Sequence, residues 1–481
     1  MTSKIHAMLA AVAAAFVALP IAAQSRADNT PSSAAQPAGL QALWTDANRS
    51  MLKEVLAHRD RHGLDHVSFL PTDAGEGPDP SVASAYTKAA LDYARAVTQG
   101  LIDPSSLHDI YTITRPTADP ESALAAALHN GTLKQWLDGL APDDAEYRQL
   151  SDAYLAASRN SATQASTIAM TRNMHVGDAD PRVAEIANQL VDDGYLPSRP
   201  DGAKIGKYIH DMAVAVRALQ RDYGLREDGI IGPDTLGVLN LRSGDRARTL
   251  AVGLERRRWL TRTPPATRID VNTAAAELRY FRDGKLVDRR RVIVGEPERF
   301  TPALSSPIYR LVANPTWTVP KSISVSASTV RAKHMHRVNG YWVQPSGPTN
   351  ALGLVKFDMK NSQAIYLHDT SAPKLFNRSQ RHLSHGCVRV ADALGFAQML
   401  ADEEGVGDAW AKAHDSGTYQ IVDLPHEIPV RLLYHNALVA DDGQVAIRTD
   451  PYGWNDAVAT KLGFSDARTR KSKAEAIDIG P

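Results

Sequence analysis

The chain has 481 residues, of which 43% are hydrophobic and 22% charged, so at about 150 residues per domain it is a globular protein of roughly three domains. Its 54 basic residues balance 54 acidic ones, which leaves no general field for a polyanion and argues against nucleic-acid binding. The single thiol, Cys387, excludes internal disulfides and multi-cysteine zinc or iron–sulfur sites; reactive chemistry, intermolecular pairing or inert burial remain.

The first residues carry Lys4 and His6, then an apolar run over 8–23 broken by Pro20, then small residues suited to cleavage between about Ala23 and Ala27. That order predicts a secretory signal peptide over 1–23 and hence an exported, periplasmic protein of the cell envelope. A lone thiol is easily oxidised outside the cytoplasm, so keeping one there points to a reactive role. Residues 24–39, rich in Ser, Ala, Pro and Gln, read as a tether.

Over 40–177 apolar residues recur every three or four positions, as in Tyr86, Ala90, Leu91, Tyr93 and Ala94, which predicts an all-helical scaffold. Pro120 with Glu121 and Pro142 with Asp143 mark helix starts. A second module spans 178–243. An amphipathic helix there closes at Gly224, Asp228-Gly229 demands a turn, and Gly232-Pro233-Asp234 opens the next helix. With Gln220 on the helix and Thr235 after the turn, the segment resembles the three-helix peptidoglycan-binding module, which implies attachment to the sacculus. A connecting helix follows within 244–265, and its run Arg256-Arg257-Arg258 reads as a solvated face.

After Pro264-Pro265 the period changes to two. Short β runs are predicted at 269–272, 278–281, 291–294, 308–312, 364–368, 419–422, 431–434 and 445–448, with Asp283-Gly284 as a hairpin turn and a helix over 391–404. Residues 266–455 therefore read as a mainly antiparallel β domain with one or two helices, and 456–481 as a tail, mobile from Ser465.

Two segments of this domain carry chemistry: Tyr366-Leu367-His368-Asp369-Thr370 and Ser384-His385-Gly386-Cys387-Val388-Arg389. A thiol needs an imidazole within reach to become a nucleophile at neutral pH, and an imidazolium partner would hold its pKa below the ~8.5 of free cysteine. His385 would share a face with Cys387 in an extended segment, whereas His368 ends a predicted strand that a returning loop could set opposite the thiol. Gly386 permits close backbone approach, and the N–H groups of Gly386 and Cys387 could point at a developing oxyanion. A metal cluster of His334, His336, His368 and His385 is disfavoured, because no H-E-x-x-H or carboxylate partner accompanies it. Trp317, Tyr341 and Trp342 either line a groove or pack beneath a cap.

These segments resemble the signature of the L,D-transpeptidase (YkuD) catalytic domain. The blocks Asn314-Pro315-Thr316-Trp317, Gly347-Pro348-Thr349-Asn350 and Lys356-Phe357 are similar to the long, multi-domain bacterial subgroup of that family. The resemblance implies a β-sandwich domain without metal or organic cofactor, Cys387 as nucleophile and His368 as its acid–base partner. It further implies that His385 and Gly386 shape the oxyanion site, that Arg389 supports the site or meets a substrate carboxylate, and that Tyr366 and Trp317 bind substrate. The implied reaction is attack by Cys387 on the third residue of a donor tetrapeptide stem of peptidoglycan, release of D-Ala, and transfer to a diaminopimelate amine of a neighbouring stem. Water or a protein lysine as acceptor would make a wall hydrolase or a protein-to-wall ligase, and a non-catalytic wall-binding scaffold is the alternative from a different class. Carbapenem-type β-lactams are the implied inhibitors. The segment 323–344 is shorter than the helical cap common in the subgroup.

Overall fold

The computed structural model describes residues 38–464 apart from 78, 118, 160–167, 170, 171, 205, 242, 322, 441 and 442. The expected signal peptide, nearly all of the tether and the tail beyond 464 lie outside the described residues.

The amino-terminal half is helical: α1 (Ala38–Ala42), α2 (Asp46–Ala57), α3 (Pro80–Gln99), α4 (Pro120–His129), α5 (Leu133–Asp138) and α6 (Ala145–Arg159). Helix α3 starts where Asp79 accepts the Ser81 N–H at 2.7 Å ahead of Pro80, and it buries Tyr86, Ala90, Tyr93, Ala94 and Val97 along one face. The second module follows as α7 (Val183–Asp192), α8 (Asp201–Lys204), α9 (His210–Asp222) and α10 (Pro233–Leu239). Its signature has a mechanical cause. The Gln220 amide on α9 donates to Asp228 Oδ1, Ile230 O and Thr235 Oγ1 at 3.0–3.1 Å and accepts the Gly229 N–H at 2.9 Å, so one buried side chain satisfies the loop that opens α10.

The connecting helix α11 (Ser243–Arg258) corrects the reading of its arginines as a solvated face. Arg258 is fully buried and Arg256 is 3% exposed. Each has found partners from a different part of the chain, which is what allows a guanidinium inside. Arg258 donates to His62 O (2.8 Å) and the Tyr147 hydroxyl (2.9 Å) and pairs with Glu255 at 2.7 Å. Arg256 donates to the side-chain oxygens of Asn436 (2.8 Å) and Asn455 (2.6 Å). Glu255 also accepts from Ile102 N (2.8 Å) and Trp259 Nε1 (3.0 Å). Glu255→Ala would leave the Arg258 charge buried without its carboxylate and orphan two N–H donors. It is expected to cost about 3–5 kcal/mol, read as a lowered thermal midpoint of the full chain, and an unchanged midpoint would contradict this account.

The β domain contains β1 (Arg268–Asn272), β2 (Glu277–Arg282), β3 (Lys285–Gly295), β4 (Ile308–Ala313), β5 (Trp317–Thr318), β6 (His336–Val338), β7 (Tyr341–Gln344), β8 (Val355–Met359), β9 (Leu367–His368), β10 (His382–Ser384), β11 (Val388–Val390), β12 (Gln420–Ile428) and β13 (Val430–Leu433). Strand order is β12-β4-β8-β9-β11-β3-β2-β1-β13. Neighbours are mostly antiparallel, with parallel pairing at β1–β13, β9–β11 and β3–β10. The long β3 joins the two halves: its first part pairs with β2, Val292 and Ile293 pair with β11, and its end pairs with β10. Two helices cover the core, α13 (Ala393–Glu403) and α14 (Gly407–Asp415), and the ring of Phe396 of α13 packs tilted against that of Phe357 of β8, centroids 5.6 Å apart. The cap is a small unit of its own. A helix, α12 (Ala327–Ala332), and the sheet β5-β7-β6 enclose Trp317, Val319, Met335, Ala351 and Leu352.

The chain then returns to the scaffold. The hairpin β14 (Ala437–Val439) and β15 (Val445–Ile447) and helix α15 (Asn455–Lys461) place Ala437, Ile447, Val458, Ala459 and Leu462 in the helical core, so the beginning of the expected tail is packed structure.

Burial holds several histidines neutral. His62 is pushed down to about 3 by burial and the Arg258 charge, and His108 and His382 are each pushed down to about 4, again chiefly by burial. Unfolded histidine titrates near 6.5, so the stability that these neutral rings contribute is complete above that pH and is lost as pH falls toward 3–4. Thermal midpoints measured from pH 7 to pH 4 are expected to fall continuously below about 6.5. A flat profile would contradict the buried neutral assignment.

Candidate active site

The parallel register of β9 and β11 builds the site. Val388 lies opposite Leu367 and Arg389 opposite His368, with Val388 N donating to Tyr366 O at 3.1 Å. Residues opposite one another in a sheet share a face, and so do alternate residues along a strand. Cys387, Tyr366, His368 and Arg389 therefore project to one side, while Leu367 and Val388 enter the apolar core. The thiol and the imidazole are diagonal neighbours on adjacent strands, brought there by the crossover from Asp369 to Cys387.

His368 is completely buried, and its ring is fixed from one side. Nδ1 donates to the backbone carbonyl of Asp369 at 2.5 Å, which leaves Nε2 as the bare acceptor nitrogen, buried without a hydrogen-bond partner. Burial and then the Arg389 charge push its pKa down to about 3. Cys387 is 8% exposed, and its Sγ lies 3.7 Å from Ala364 O. Burial pushes this thiol up, against weaker opposing pulls from the Tyr366 backbone and hydroxyl, Lys356 and Arg389. Burial thus favours the neutral form of thiol and imidazole alike, where the sequence suggested a thiolate–imidazolium pair. The physical reason is desolvation, which disfavours both charged forms. The carbonyl facing the thiol belongs to Ala364, whose φ of 54° is left-handed, so β9 is only Leu367–His368 where a longer strand was expected.

His385 faces a carboxylate. Its Nε2 is 3.7 Å from Glu296 Oε1, and its side chain is 10% exposed. Gly386 has φ +117°, which L side chains rarely adopt, and its N–H donates to Ser384 Oγ at 3.2 Å. That N–H is therefore engaged inside the turn, contrary to the expectation that it faces an oxyanion. Ser384 also donates to Cys387 O at 2.6 Å, and Thr301 Oγ1 donates to Gly386 O at 2.8 Å while accepting Gly295 N–H at 2.9 Å. The Tyr452 hydroxyl, from the returning carboxy-terminal segment, donates to Gly295 O at 2.8 Å. Ser384 stood within the motif read from sequence. Thr301 and Tyr452 gave no signal there, because long-range backbone anchoring leaves none.

Arg389, on the same face, is fully buried like His368, and its charge acts on both the imidazole and the thiol. Tyr366 touches both reacting groups: its ring lies 5.6 Å from that of His368, and burial raises its hydroxyl pKa so that it remains a donor beside Cys387. It also packs on the cap core, so cap and nucleophile share a wall. Trp317 is 4% exposed and packs beneath the cap, which decides between the two readings of that residue. His334 and His336 lie in the cap, and among the described residues no three His, Cys, Asp or Glu side chains are grouped as metal ligands.

Residues 266–422 match the family described as the L,D-transpeptidase catalytic domain, YkuD. Residues 179–239 match a "Putative peptidoglycan binding domain" and residues 36–153 a "Scaffold domain". The chain is 30% identical over 221 residues to a "Putative L,D-transpeptidase" of Haemophilus influenzae, an alignment covering 39% of this chain and 44% of that relative. The match thus spans less than half of the relative's length. A crystal structure of an L,D-transpeptidase from Stackebrandtia nassauensis is 15% identical, with 55% of this chain and 97% of that one covered at a TM-score of 0.24. The catalytic domain of the E. faecium L,D-transpeptidase acylated by ertapenem is 13% identical, with 36% and 99% covered at a TM-score of 0.20.

Proposed function

We propose that this multi-domain chain, which carries a YkuD L,D-transpeptidase catalytic domain behind a peptidoglycan-binding domain, is a peptidoglycan cross-linking enzyme of the cell envelope that works through Cys387 and His368. The observation that supports the reading is the paired register that sets Cys387 and His368 on one face of adjacent segments, with the His368 Nε2 bare and unpartnered. In the proposed course Sγ attacks the carbonyl carbon of the third residue of a donor tetrapeptide while Nε2 takes the thiol proton. Because both groups rest neutral, proton transfer accompanies attack. The oxyanion is met by the Cys387 N–H and the Tyr366 hydroxyl, the donors left once Gly386 N–H is committed to Ser384. Collapse expels the terminal D-Ala amine, which receives the proton from His368, and a thioester remains.

The amine of a diaminopimelate on a second stem then attacks the thioester, His368 takes its proton, and that proton returns to the departing sulfur. Wall binding by the module of α7 to α10 would raise the local concentration of both stems. Incubation of the full chain with purified tetrapeptide muropeptides, followed by mass spectrometry, tests the reading. Cross-linked dimers short of one D-Ala are expected. Tripeptide monomers alone would make the enzyme a hydrolase, and unchanged substrate would leave a wall-binding scaffold.

A further inference from the structure

A cavity of about 330 Å³ opens between the peptidoglycan-binding module and the β domain, away from the Cys387 turn. Its described lining includes six arginines, Arg221, Arg226, Arg291, Arg378, Arg381 and Arg448, against two glutamates, Glu227 and Glu277. Both carboxylates are already engaged: Glu227 pairs with Arg221 at 3.2 Å and Glu277 with Arg279 at 2.5 Å.

Arg291, Arg381 and Arg448 form no ion pair among the described residues, and backbone carbonyls hold them instead. Arg381 commits all five N–H groups, to Val292 O (3.2 Å), Arg378 O (2.9 Å), Ser379 O (3.5 Å), Ala275 O (3.3 Å) and Ala276 O (3.1 Å), while Arg291 donates to Phe376 O (3.5 Å) and Arg448 to Asp222 O. Burial, followed by the Arg291 charge, pushes Arg381 down to about 10, the mark of a guanidinium crowded by its own kind. A second feature narrows the ligand. His382, 4% exposed, lines the same cavity, donates through Nε2 to Thr273 O at 2.8 Å, and leaves its buried Nδ1 without a partner. A neutral Nδ1 of this kind accepts a hydrogen bond, so it suits a ligand that also carries an N–H.

We infer that this cavity is a subsite for a carboxylate-bearing peptide strand of peptidoglycan, with Arg291 and Arg448 meeting carboxylates, Arg381, whose donors are taken by the backbone, adding only its charge, and His382 Nδ1 accepting an amide N–H. Arginine forks bind carboxylates in two-point geometry, and an acidic stem peptide offers both carboxylates and amides, whereas a fully ionised phosphate offers no donor to His382. The position fits such a ligand. Strand β10 begins at this wall with His382 and runs into the turn that bears Cys387, and Arg448 reaches across to the end of α9. A stem held here would be gripped jointly by the wall-binding module and the catalytic domain. The inference rests on the reading of the chain as a peptidoglycan enzyme and adds a second contact to it.

The test is equilibrium binding of a soluble disaccharide tetrapeptide to the full chain carrying Cys387→Ala, so that no turnover intervenes. Adding Arg291→Gln with Arg448→Gln is expected to raise the dissociation constant about tenfold or more at low ionic strength, and Arg291→Lys alone, which keeps the charge, to raise it far less. The same peptide with its carboxylates amidated is expected to bind the parent weakly and to be indifferent to the arginine changes. Equal binding by parent and double variant, or an equal loss with the amidated peptide, would overturn the subsite. So would arginine-dependent binding of inorganic phosphate without arginine-dependent binding of the peptide. Arginine-dependent binding combined with absent turnover in the unsubstituted enzyme would instead sink the transpeptidase reading and leave the subsite standing.

Discussion

Cys387→Ala is expected to reduce the turnover of tetrapeptide muropeptides to background while the chain stays folded and binds sacculi. The sulfur is the one thiol of the chain, and no other nucleophile is invoked for the proposed thioester. The substitution removes a single buried heavy atom, a loss that packing tolerates at about 1 kcal/mol, so a fall in activity of several orders of magnitude would not be explained by unfolding. The same position gives a second readout. A carbapenem-type β-lactam presents a strained carbonyl to the same thiol, so intact-protein mass spectra are expected to show one covalent adduct on the unsubstituted chain and none on Cys387→Ala. With one cysteine the assignment is unambiguous. Residual turnover above a few per cent, or an adduct that survives the substitution, would remove Cys387 from its role.

Sequence carried far where the fold is local. The period of three to four in α3, the Gln220 and Gly232-Pro233 punctuation of the wall-binding module and the alternating runs of β1, β2 and β4 are set by neighbours in the chain, and they are present as expected. What stayed illegible depends on distant partners. The arginines of α11 are solvated in most helices with such a run, and only Glu255, Tyr147, Asn436 and Asn455, up to 199 residues away, turn them inward. The same limit applied at the site. The motifs named the thiol and both histidines, but the parallel pairing of β9 with β11, the Ala364 carbonyl and the commitment of Gly386 N–H to Ser384 exist only once the crossover has closed. The charge state of the pair is illegible for a related reason: a motif states which groups are adjacent and is silent on how much water they lose.

His368→Ala is expected to lower kcat for muropeptide turnover by about 10²- to 10⁴-fold, the usual contribution of a positioned acid–base group, and His385→Ala by much less. His385 is turned toward Glu296, whereas His368 presents a bare Nε2 on the face of the thiol. The pH behaviour separates this neutral pair from an ion pair. His368 titrates at about 3 and burial raises the Cys387 thiol, so activity should show no acid limb from this imidazole between pH 5 and 8, and would be lost only as pH falls toward 3. Alkylation of Cys387 by iodoacetamide should then have its midpoint at or above the ~8.5 of free cysteine. Because an uncharged ring lends no Coulombic support to the thiolate, that midpoint should move little in His368→Ala even as kcat collapses. A midpoint well below ~8.5 that climbs when His368 is removed would restore the charged pair. A larger fall in kcat for His385→Ala than for His368→Ala would transfer the base to the other imidazole, with Cys387 keeping its place as nucleophile.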